Sequence, residues 1–244
     1  MDILITAGGT REYLDPVRFI SNASSGRMGY ALARAALAAG HQVTLIAAPT
    51  AQEPPRKARI VKVETTAEMF KAVKKHFRRC DCLIMAAAVA DYTPVRPSLA
   101  KLKKTGRNLT ITLKPTRDIL KWAGAQKRRS RRRDSARKVT EHRGSLTRHR
   151  LPITQSLALP IVVGFALEDR ALRARAEKKL HDKNLDIIVA NRPAAIGADN
   201  STVQIKTPHS AWVKIENATK SATTRKIISL VEKLCRSSCR DEQQ

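Results

Sequence analysis

The sequence of 244 residues has few aromatic side chains, few cysteines and no long apolar run. It lacks the stretch of about 18 apolar residues that a membrane-spanning helix requires. It also lacks a basic segment and apolar core ahead of the first strand, so we expect no secretory leader and a cytoplasmic location. Cys80, Cys82, Cys235 and Cys239 do not have the paired spacing of a zinc site, and we expect reduced, structural thiols.

Acidic residues are also scarce, with 21 Asp and Glu against 47 Lys and Arg, a net charge of +26. Residues 127–150 carry eleven Lys or Arg and two acids, and their low apolar content predicts disorder. Three alternatives are a tether that contacts RNA, an inert flexible insertion and a stretch from a non-ancestral reading frame. Because this segment has no Phe, Tyr or Trp to stack on bases, RNA is the least favoured partner.

Short apolar segments alternate with segments of helical periodicity, which predicts an α/β fold with a doubly wound, Rossmann-like parallel sheet. The predicted strands are 2–7, 41–47, 60–63, 82–87, 161–165 and 186–190, and the predicted helices are 26–39, 66–78, 117–125 and 169–182. Segments 109–113, 202–207 and 211–216 predict peripheral antiparallel strands, and a helix follows at 220–234. We expect one domain over residues 1–244.

The loop between the first strand and the first helix carries the most information. It contains Gly8 and Gly9 after the strand and Ser24, Ser25 and Gly26 before the helix. A helix that begins after Ser-Ser-Gly offers unpaired N–H groups and the positive end of its dipole, and glycine allows close approach of an anion. The loop therefore predicts a phosphate-binding site.

An NADP-dependent Rossmann oxidoreductase is an alternative with the same kind of sheet. Its fingerprint needs three glycines directly between strand and helix, and an acidic residue after the second strand. Here about 15 residues separate Gly9 from the helix, whereas the fingerprint allows only a few. Ala48-Pro49-Thr50 follows the second strand and supplies no carboxylate. Since neither requirement is met, a nicotinamide cofactor is disfavoured.

Five motifs resemble phosphopantothenoylcysteine synthetase (phosphopantothenate–cysteine ligase) of coenzyme A biosynthesis, in its bacterial-type form, and they occur in that family's order. They are GGTREYLDPVRFISNASSGRMG at 8–29, AAAVADY at 86–92, KLKK at 101–104, GFALE at 164–168 and KNLDIIVAN at 183–191. The family has only a short link where this chain has residues 125–160, which we therefore interpret as a basic insertion. In many bacteria the ligase follows a flavin-dependent decarboxylase. This chain begins with the ligase strand, so we expect the free-standing form.

The resemblance implies a ligase that works in two steps. The carboxylate of 4′-phosphopantothenate attacks the α-phosphorus of CTP, with ATP as the fallback, and pyrophosphate leaves. The amine of L-cysteine then displaces CMP from the acyl-cytidylate to form the amide. Because the substrate supplies the nucleophile, the absence of a Ser-His-Asp or Cys-His motif is expected. Mg²⁺ is expected on the polyphosphate, with unknown protein ligands. A homodimer is also implied, built by protruding strands.

The resemblance assigns roles to individual residues. Lys101 matches the catalytic lysine, and Asn22 matches an asparagine that polarises the mixed-anhydride carbonyl. The expected nucleotide-binding residues are Gly9, Ser24, Gly26, Gly29, Ala87, Asp91, Lys101, Arg117, Asp118, Ile119, Leu120, Phe165, Lys179 and Lys183. Without the resemblance, the three lysines would be interpreted as solvated surface, Asn22 as a turn residue and Phe165 as core.

Overall fold

The computed structural model describes residues 1–127 and 159–240. Its strands are β1 (Asp2–Ala7), β2 (Arg11–Tyr13), β3 (Phe19–Ser21), β4 (Gln42–Ala47), β5 (Arg59–Lys62), β6 (Cys82–Met85), β7 (Tyr92–Pro94), β8 (Leu113–Pro115), β9 (Ile161–Leu167), β10 (Ile187–Asn191), β11 (Asn200–Lys206) and β12 (Val213–Thr219). Its helices are α1 (Arg27–Ala38), α2 (Thr66–His76), α3 (119–127), α4 (Leu172–Asp182) and α5 (Lys220–Arg240).

Eight strands form one sheet in the order β12-β11-β10-β9-β6-β1-β4-β5. The six strands from β10 to β5 are parallel to their neighbours, whereas β11 and β12 pair antiparallel at one edge. The doubly wound fold predicted from the sequence is confirmed. None of the helices in the described residues is long and apolar enough to cross a membrane.

Alternating side chains of the parallel strands build a core on each face of the sheet. Ile3 and Ile5 of β1 pack in the cluster that contains side chains from α1 and α5. Leu4, between them in sequence, belongs to the opposite cluster, which contains Met69 of α2 and Leu180 of α4. Because both faces of the strands are covered, the strands are almost continuously apolar, which is why they were recognisable in the sequence.

Two small hairpins stand apart from the main sheet, β2–β3 and β7–β8. Strands β2, β3 and β7 were not predicted from the sequence. The strand predicted at 109–113 was wrong in position, because the ladder of β8 with β7 begins only at Leu113 and continues to Pro115. Several apolar side chains on or between these hairpins are exposed, namely Val17, Phe19, Tyr92, Val95, Leu99, Leu109 and Leu113.

The predicted insertion at 125–160 lies largely outside the described residues, but its two ends are described. Lys127 at the end of α3 is 2% exposed and pairs with the Oδ2 atom of Asp186. The same Oδ2 accepts the Val162 amide of β9 at 2.7 Å. The described residues on either side of this stretch, Lys127 and Val162, therefore lie at neighbouring points of the fold.

Candidate active site

A cavity of about 810 Å³ opens at the carboxyl edge of the parallel strands. Its walls come from the loop before α1, the segment after β6, the start of α3, and the ends of β9 and α4. This edge is where ligands of open α/β sheets bind. Of the residues predicted from the sequence, only Gly9, Gly29 and Lys101 do not line it. Those that do are Asn22, Ser24, Gly26, Ala87, Asp91, Arg117, Asp118, Ile119, Leu120, Phe165, Lys179 and Lys183.

Helix α1 begins at this cavity without a side-chain cap. Its N-cap residue, Gly26, has a φ of 72°, a left-handed conformation that favours glycine. A Cβ on Gly26 would also lie 2.9 Å from Thr50 Oγ1. The first N–H groups of an uncapped helix are available to a bound anion. The loop therefore ends at an uncapped helix start, as the sequence predicted, and phosphate binding there stays a prediction.

Gly9 and Gly29 do not line the cavity but support its loop from behind. A Cβ on Gly29 would lie 2.5 Å from the Ala7 Cβ, so glycine allows α1 to pack closely on β1. A Cβ on Gly9 would lie 3.0 Å from the Asn22 carbonyl oxygen. These two glycines place the helix start and Asn22 rather than contact the cavity themselves.

Asn22 follows β3 directly and its Nδ2 donates to the Val89 carbonyl at 3.1 Å. The segment that contains Val89 is fixed by threonines. Thr10 Oγ1 accepts the Ala90 amide at 2.9 Å, and Thr116 Oγ1 donates to the Ala90 carbonyl at 2.7 Å. Asp91, the next residue, is exposed at the cavity. Hydrogen bonds along the backbone thus bring Asn22 and Asp91 to the same opening.

Two lysines four residues apart form the cationic wall near the end of α4. Lys183 Nζ lies 2.8 Å from Asp118 Oδ2. Burial raises the pKa of Asp118, but the hydrogen bonds from Lys183 and the Lys121 amide, together with the charges of Lys183 and Lys179, outweigh it and the net pKa is lowered. Lys179 Nζ donates to the Phe165 carbonyl at 2.6 Å. Burial, followed by the charge of Lys183, lowers the pKa of Lys179, so an anion placed here would relieve this repulsion.

Two cations of this cavity, Arg27 and Lys220, were not predicted from the sequence. Arg27 donates to the Gly197 carbonyl at 2.7 Å and pairs with Asp199. Lys220 donates to the Ala198 carbonyl, and burial lowers its pKa. Arg27 could have been suspected because it follows Gly26 directly, but no spacing signal connects Lys220 with the loop before α1.

Lys101, the predicted catalytic residue, is exposed and does not line the cavity of this single chain. It lies between Ser98 and Leu102, both of which are hydrogen-bonded to the β2–β3 turn. The structure therefore brings most of the expected residues to one cavity, places Gly9 and Gly29 behind its loop, and leaves Lys101 on the segment between β7 and β8.

Within the described residues, no group of three or more His, Cys, Asp or Glu side chains is placed to hold a metal ion. The carboxylates that line the cavity are those of Asp91, Asp118 and Glu168. Mg²⁺ usually keeps several waters and is held by one or two carboxylates together with substrate phosphates. This donor set fits a magnesium ion that arrives with a polyphosphate.

The sheet and the cavity define the class: a doubly wound α/β protein with a large cavity, lined by both apolar and charged residues, at the carboxyl ends of its parallel strands. Residues 1–133 and 151–234 match the family described as "DNA/pantothenate metabolism flavoprotein C-terminal domain", and the chain belongs to this family. Residues 134–150, in the predicted insertion, fall between the two matched stretches.

Named relatives agree with this membership. The chain is 39% identical over 208 residues to the coenzyme A biosynthesis bifunctional protein CoaBC of Bacillus subtilis, covering 83% of this chain and 44% of that protein. It is 37% identical over 238 residues to a prokaryotic cysteine/cysteine sulfinic acid decarboxylase, covering 94% of this chain and 58% of that protein. The chain thus spans about half the length of these curated relatives.

Solved structures show the same architecture. The crystal structure of the C-terminal domain of CoaBC superposes with a TM-score of 0.73 at 33% identity, covering 97% of this chain and 96% of that one. A Cab2 mutant in complex with phosphopantothenate-cysteine has a TM-score of 0.70 at 17% identity, covering 100% of this chain and 89% of that one. At that identity the second comparison shows the fold alone.

Proposed function

We propose that the chain ligates 4′-phosphopantothenate to L-cysteine through an acyl-nucleotide, with CTP as the nucleotide and ATP as the alternative. Membership of the family and the match to the whole C-terminal domain of CoaBC support the reaction class. The observation that carries the proposal is the cavity itself, in which Asn22, the uncapped start of α1 and the lysines of α4 face one space.

The triphosphate would bind with its phosphates at Gly26 and the N–H groups that begin α1. This placement puts negative charge at the positive end of the helix dipole. The base and ribose would lie towards Phe165 and the Arg117–Leu120 turn, and the α4 lysines would face the phosphates across the same cavity. Lys179 and Lys183 would then neutralise part of the phosphate charge in a partly dehydrated place, where an ion pair is stronger than in water.

Chemistry would require positioning and charge stabilisation rather than a protein nucleophile. The carboxylate of phosphopantothenate forms a bond to the α-phosphorus, and the bond from this phosphorus to the bridging oxygen breaks as pyrophosphate leaves. Lys101 would stabilise the charge that develops there, and Asn22 would donate to the carbonyl that cysteine attacks. Magnesium would neutralise the polyphosphate, with Asp91 as a candidate ligand at the cavity opening.

A homodimer is part of the proposal. The apolar side chains exposed on the two hairpins, among them Phe19, Tyr92 and Leu99, form the kind of surface that marks a protein interface. Of the three predicted peripheral strands only the one at 109–113 falls on this surface, because the other two correspond to β11 and β12 of the main sheet. The loop of Lys101 belongs to the surface. A second copy that covered it would bury these side chains and exclude water from the lysine.

The alternatives are less well supported by the residues. The decarboxylase relative is matched over little more than half of its length, so its printed activity does not transfer to this chain. An NADP oxidoreductase would still need a carboxylate after β4, where Ala48, Pro49 and Thr50 follow. RNA binding would depend on the basic segment, which lies outside the described residues.

A direct assay separates these functions. The protein is supplied with phosphopantothenate, L-cysteine, Mg²⁺ and one nucleoside triphosphate at a time, and pyrophosphate and the amide are measured. We expect both products with CTP, or with ATP if the base pocket accepts a purine. The absence of both products with every triphosphate would refute the ligase function. A thermal shift with NADP but not with CTP or ATP would favour the oxidoreductase.

A further inference from the structure

The segment from Ser98 to Leu102 is attached to the β2–β3 turn at both ends. The Ser98 amide donates to the Leu14 carbonyl at 2.8 Å. The Leu102 amide donates to Asp15 Oδ2 at 3.1 Å, and the Leu102 carbonyl accepts a hydrogen bond from the Arg18 guanidinium. A residue between two attached points has far less backbone freedom than one in an open loop.

Asp15 is the centre of this attachment, and its side chain is completely buried. Its Oδ1 accepts the amides of Val17 and Arg18, each at 2.8 Å. Its Oδ2 accepts Arg18 Nε at 2.9 Å in addition to the Leu102 amide. Hydrogen bonds to an ionised acceptor are stronger than neutral ones, so one carboxylate holds both the turn and the loop.

The charge on Asp15 is maintained by these donors. Burial acts to raise its pKa, but the backbone amides of Val17, Arg18 and Leu102 and the Arg18 guanidinium outweigh it and hold the pKa well below the usual range. The carboxylate is therefore ionised throughout the neutral pH range, where it can accept from all of its donors.

The turn is also connected to the cavity. Arg18 and Asn22 are four residues apart along β3, a span of at most about 13 Å for an extended chain. Asn22 lines the cavity, and Leu102, next to Lys101, is attached to Arg18 and Asp15 at the other end of the strand. The same hairpin therefore carries one residue of the cavity and holds the backbone beside the lysine.

We propose that Asp15 is a positioning residue, which holds Leu102 and thereby fixes the backbone at Lys101 for its role in pyrophosphate release. The proposal rests on the proposed ligase function. It explains why a fully buried carboxylate lies in a hairpin that contributes nothing to the main sheet. Small displacements of a reacting group reduce rates strongly, so the loss of this attachment should be visible in kcat.

The test is Asp15→Asn in the full chain. The amide keeps an oxygen for the turn but places an NH₂ donor opposite the Leu102 amide and Arg18, both of which are donors. We expect kcat for pyrophosphate release to fall by roughly 10- to 100-fold while KM for the triphosphate stays within about twofold. Hydrogen exchange of the Leu102 amide, followed by mass spectrometry, should accelerate at the same time.

Tyr13→Phe is the matched control, because it removes a hydrogen bond of 2.7 Å to Glu64 from the same hairpin without touching the lysine segment. It should leave both kcat and Leu102 exchange unchanged. If the wild type is active and Asp15→Asn has the same kcat, the positioning role of Asp15 is overturned while the ligase function stands. A wild type that is silent with all triphosphates would instead refute the ligase, and with it this role.

Arg18→Lys is a second variant in case Asp15→Asn does not fold. The Arg18 side chain is 44% exposed, so its replacement leaves the core intact. Lysine keeps the charge but cannot bond to Asp15 and the Leu102 carbonyl with a planar fork. We expect the same split, with a lower kcat, a nearly constant KM and faster Leu102 exchange. Unchanged exchange and kcat in this variant would overturn the proposal.

Discussion

The floor of the cavity, formed by β1 and α1, and the lysine segment, residues 98–102, are held by different kinds of interaction. The floor consists of a helix packed on a buried parallel strand, with Gly29 against Ala7 and cores on both faces of the sheet. The lysine segment lies on a small hairpin and is held by hydrogen bonds to Leu14, Asp15 and Arg18. Substitutions in the floor should therefore lower the stability of the fold, whereas substitutions in the hairpin should lower the rate of the proposed reaction.

Lys101→Gln should give the largest effect on rate and almost none on stability. The side chain is exposed, so its removal costs the fold little, but a cation aimed at developing phosphate charge is worth about 10²- to 10³-fold. Pyrophosphate release and thermal melting check this prediction. Arg107→Gln, an exposed cation on the same loop, is the control and should be near normal. A large fall in the melting temperature would instead make Lys101 structural.

Asn22 lies where the two regions meet. Its replacement, Asn22→Asp, should separate pyrophosphate release from amide formation. A carboxylate cannot donate to the carbonyl of the mixed anhydride, so amide formation should fall by about 10²-fold while pyrophosphate release continues. The acyl-nucleotide should then accumulate and be detectable after rapid quenching. Normal amide formation by this variant would remove Asn22 from the mechanism.

Gly29→Ala tests the floor of the cavity. The new Cβ would lie 2.5 Å from the Ala7 Cβ and 2.9 Å from the Thr6 carbonyl oxygen, so α1 must shift. Overpacking of this kind costs about 1–3 kcal/mol. For a chain of this size each kcal/mol lowers the melting temperature by roughly 2–4 °C. Ala38→Ser, on the exposed side of the same helix, should change it little; equal shifts would contradict this account.

Lys183→Met should raise KM for the triphosphate by about tenfold and leave kcat nearly unchanged, because it removes binding charge from the wall. Asp118 loses its partner, so its pKa should rise. In the wild type, the lowered pKa of Asp118 stabilises the folded state at pH values above the pKa of the unfolded state. This stabilisation is lost as the pH falls through the pKa of the folded state. Lys183→Met should therefore flatten the pH dependence of stability below about pH 4, the usual pKa of an unfolded aspartate. Lys178→Met, which removes an exposed pair with Asp182, is the control.

Replacement of residues 128–158 by a short Gly-Ser link should have the smallest effect, with activity within about twofold of the wild type. The replacement must begin after Lys127, because this buried side chain pairs with Asp186. Removing one partner of a buried pair costs about 3–5 kcal/mol, so a replacement from 127 should melt lower. A strong loss of activity in the 128–158 variant would assign the segment a role.

The sequence was sufficient for the main sheet but not for the hairpins, and the reason is physical. Strands such as β1 and β9 are buried on both faces and therefore carry a continuous apolar signal. Strands β2, β3 and β7 have three residues each and are partly exposed, so no periodicity can emerge. The helix α4 begins at Leu172 rather than 169, because Ala171 adopts a left-handed conformation with a φ of 47°.

The site was predictable where residues lie close along the chain or within a recognised motif. Gly26 and Ser24 could be placed at a helix start from their order alone. Lys179 and Lys183 gained meaning only from the family resemblance, since four-residue spacing on a helix is common for solvated lysines. Lys220 is far from every motif in sequence and reaches the cavity through the packing of α5, so only the fold could reveal it.

The shared contact of Lys127 and Val162 with one oxygen of Asp186 has a consequence for the length of chain that can be accommodated between them. Since the exit and the return of the polypeptide are adjacent, any peptide inserted there closes a ring whose ends already meet. For a flexible ring, each doubling in length adds only about 0.6 kcal/mol of closure entropy. The closure entropy at this junction is therefore nearly insensitive to the length of the peptide between its two ends.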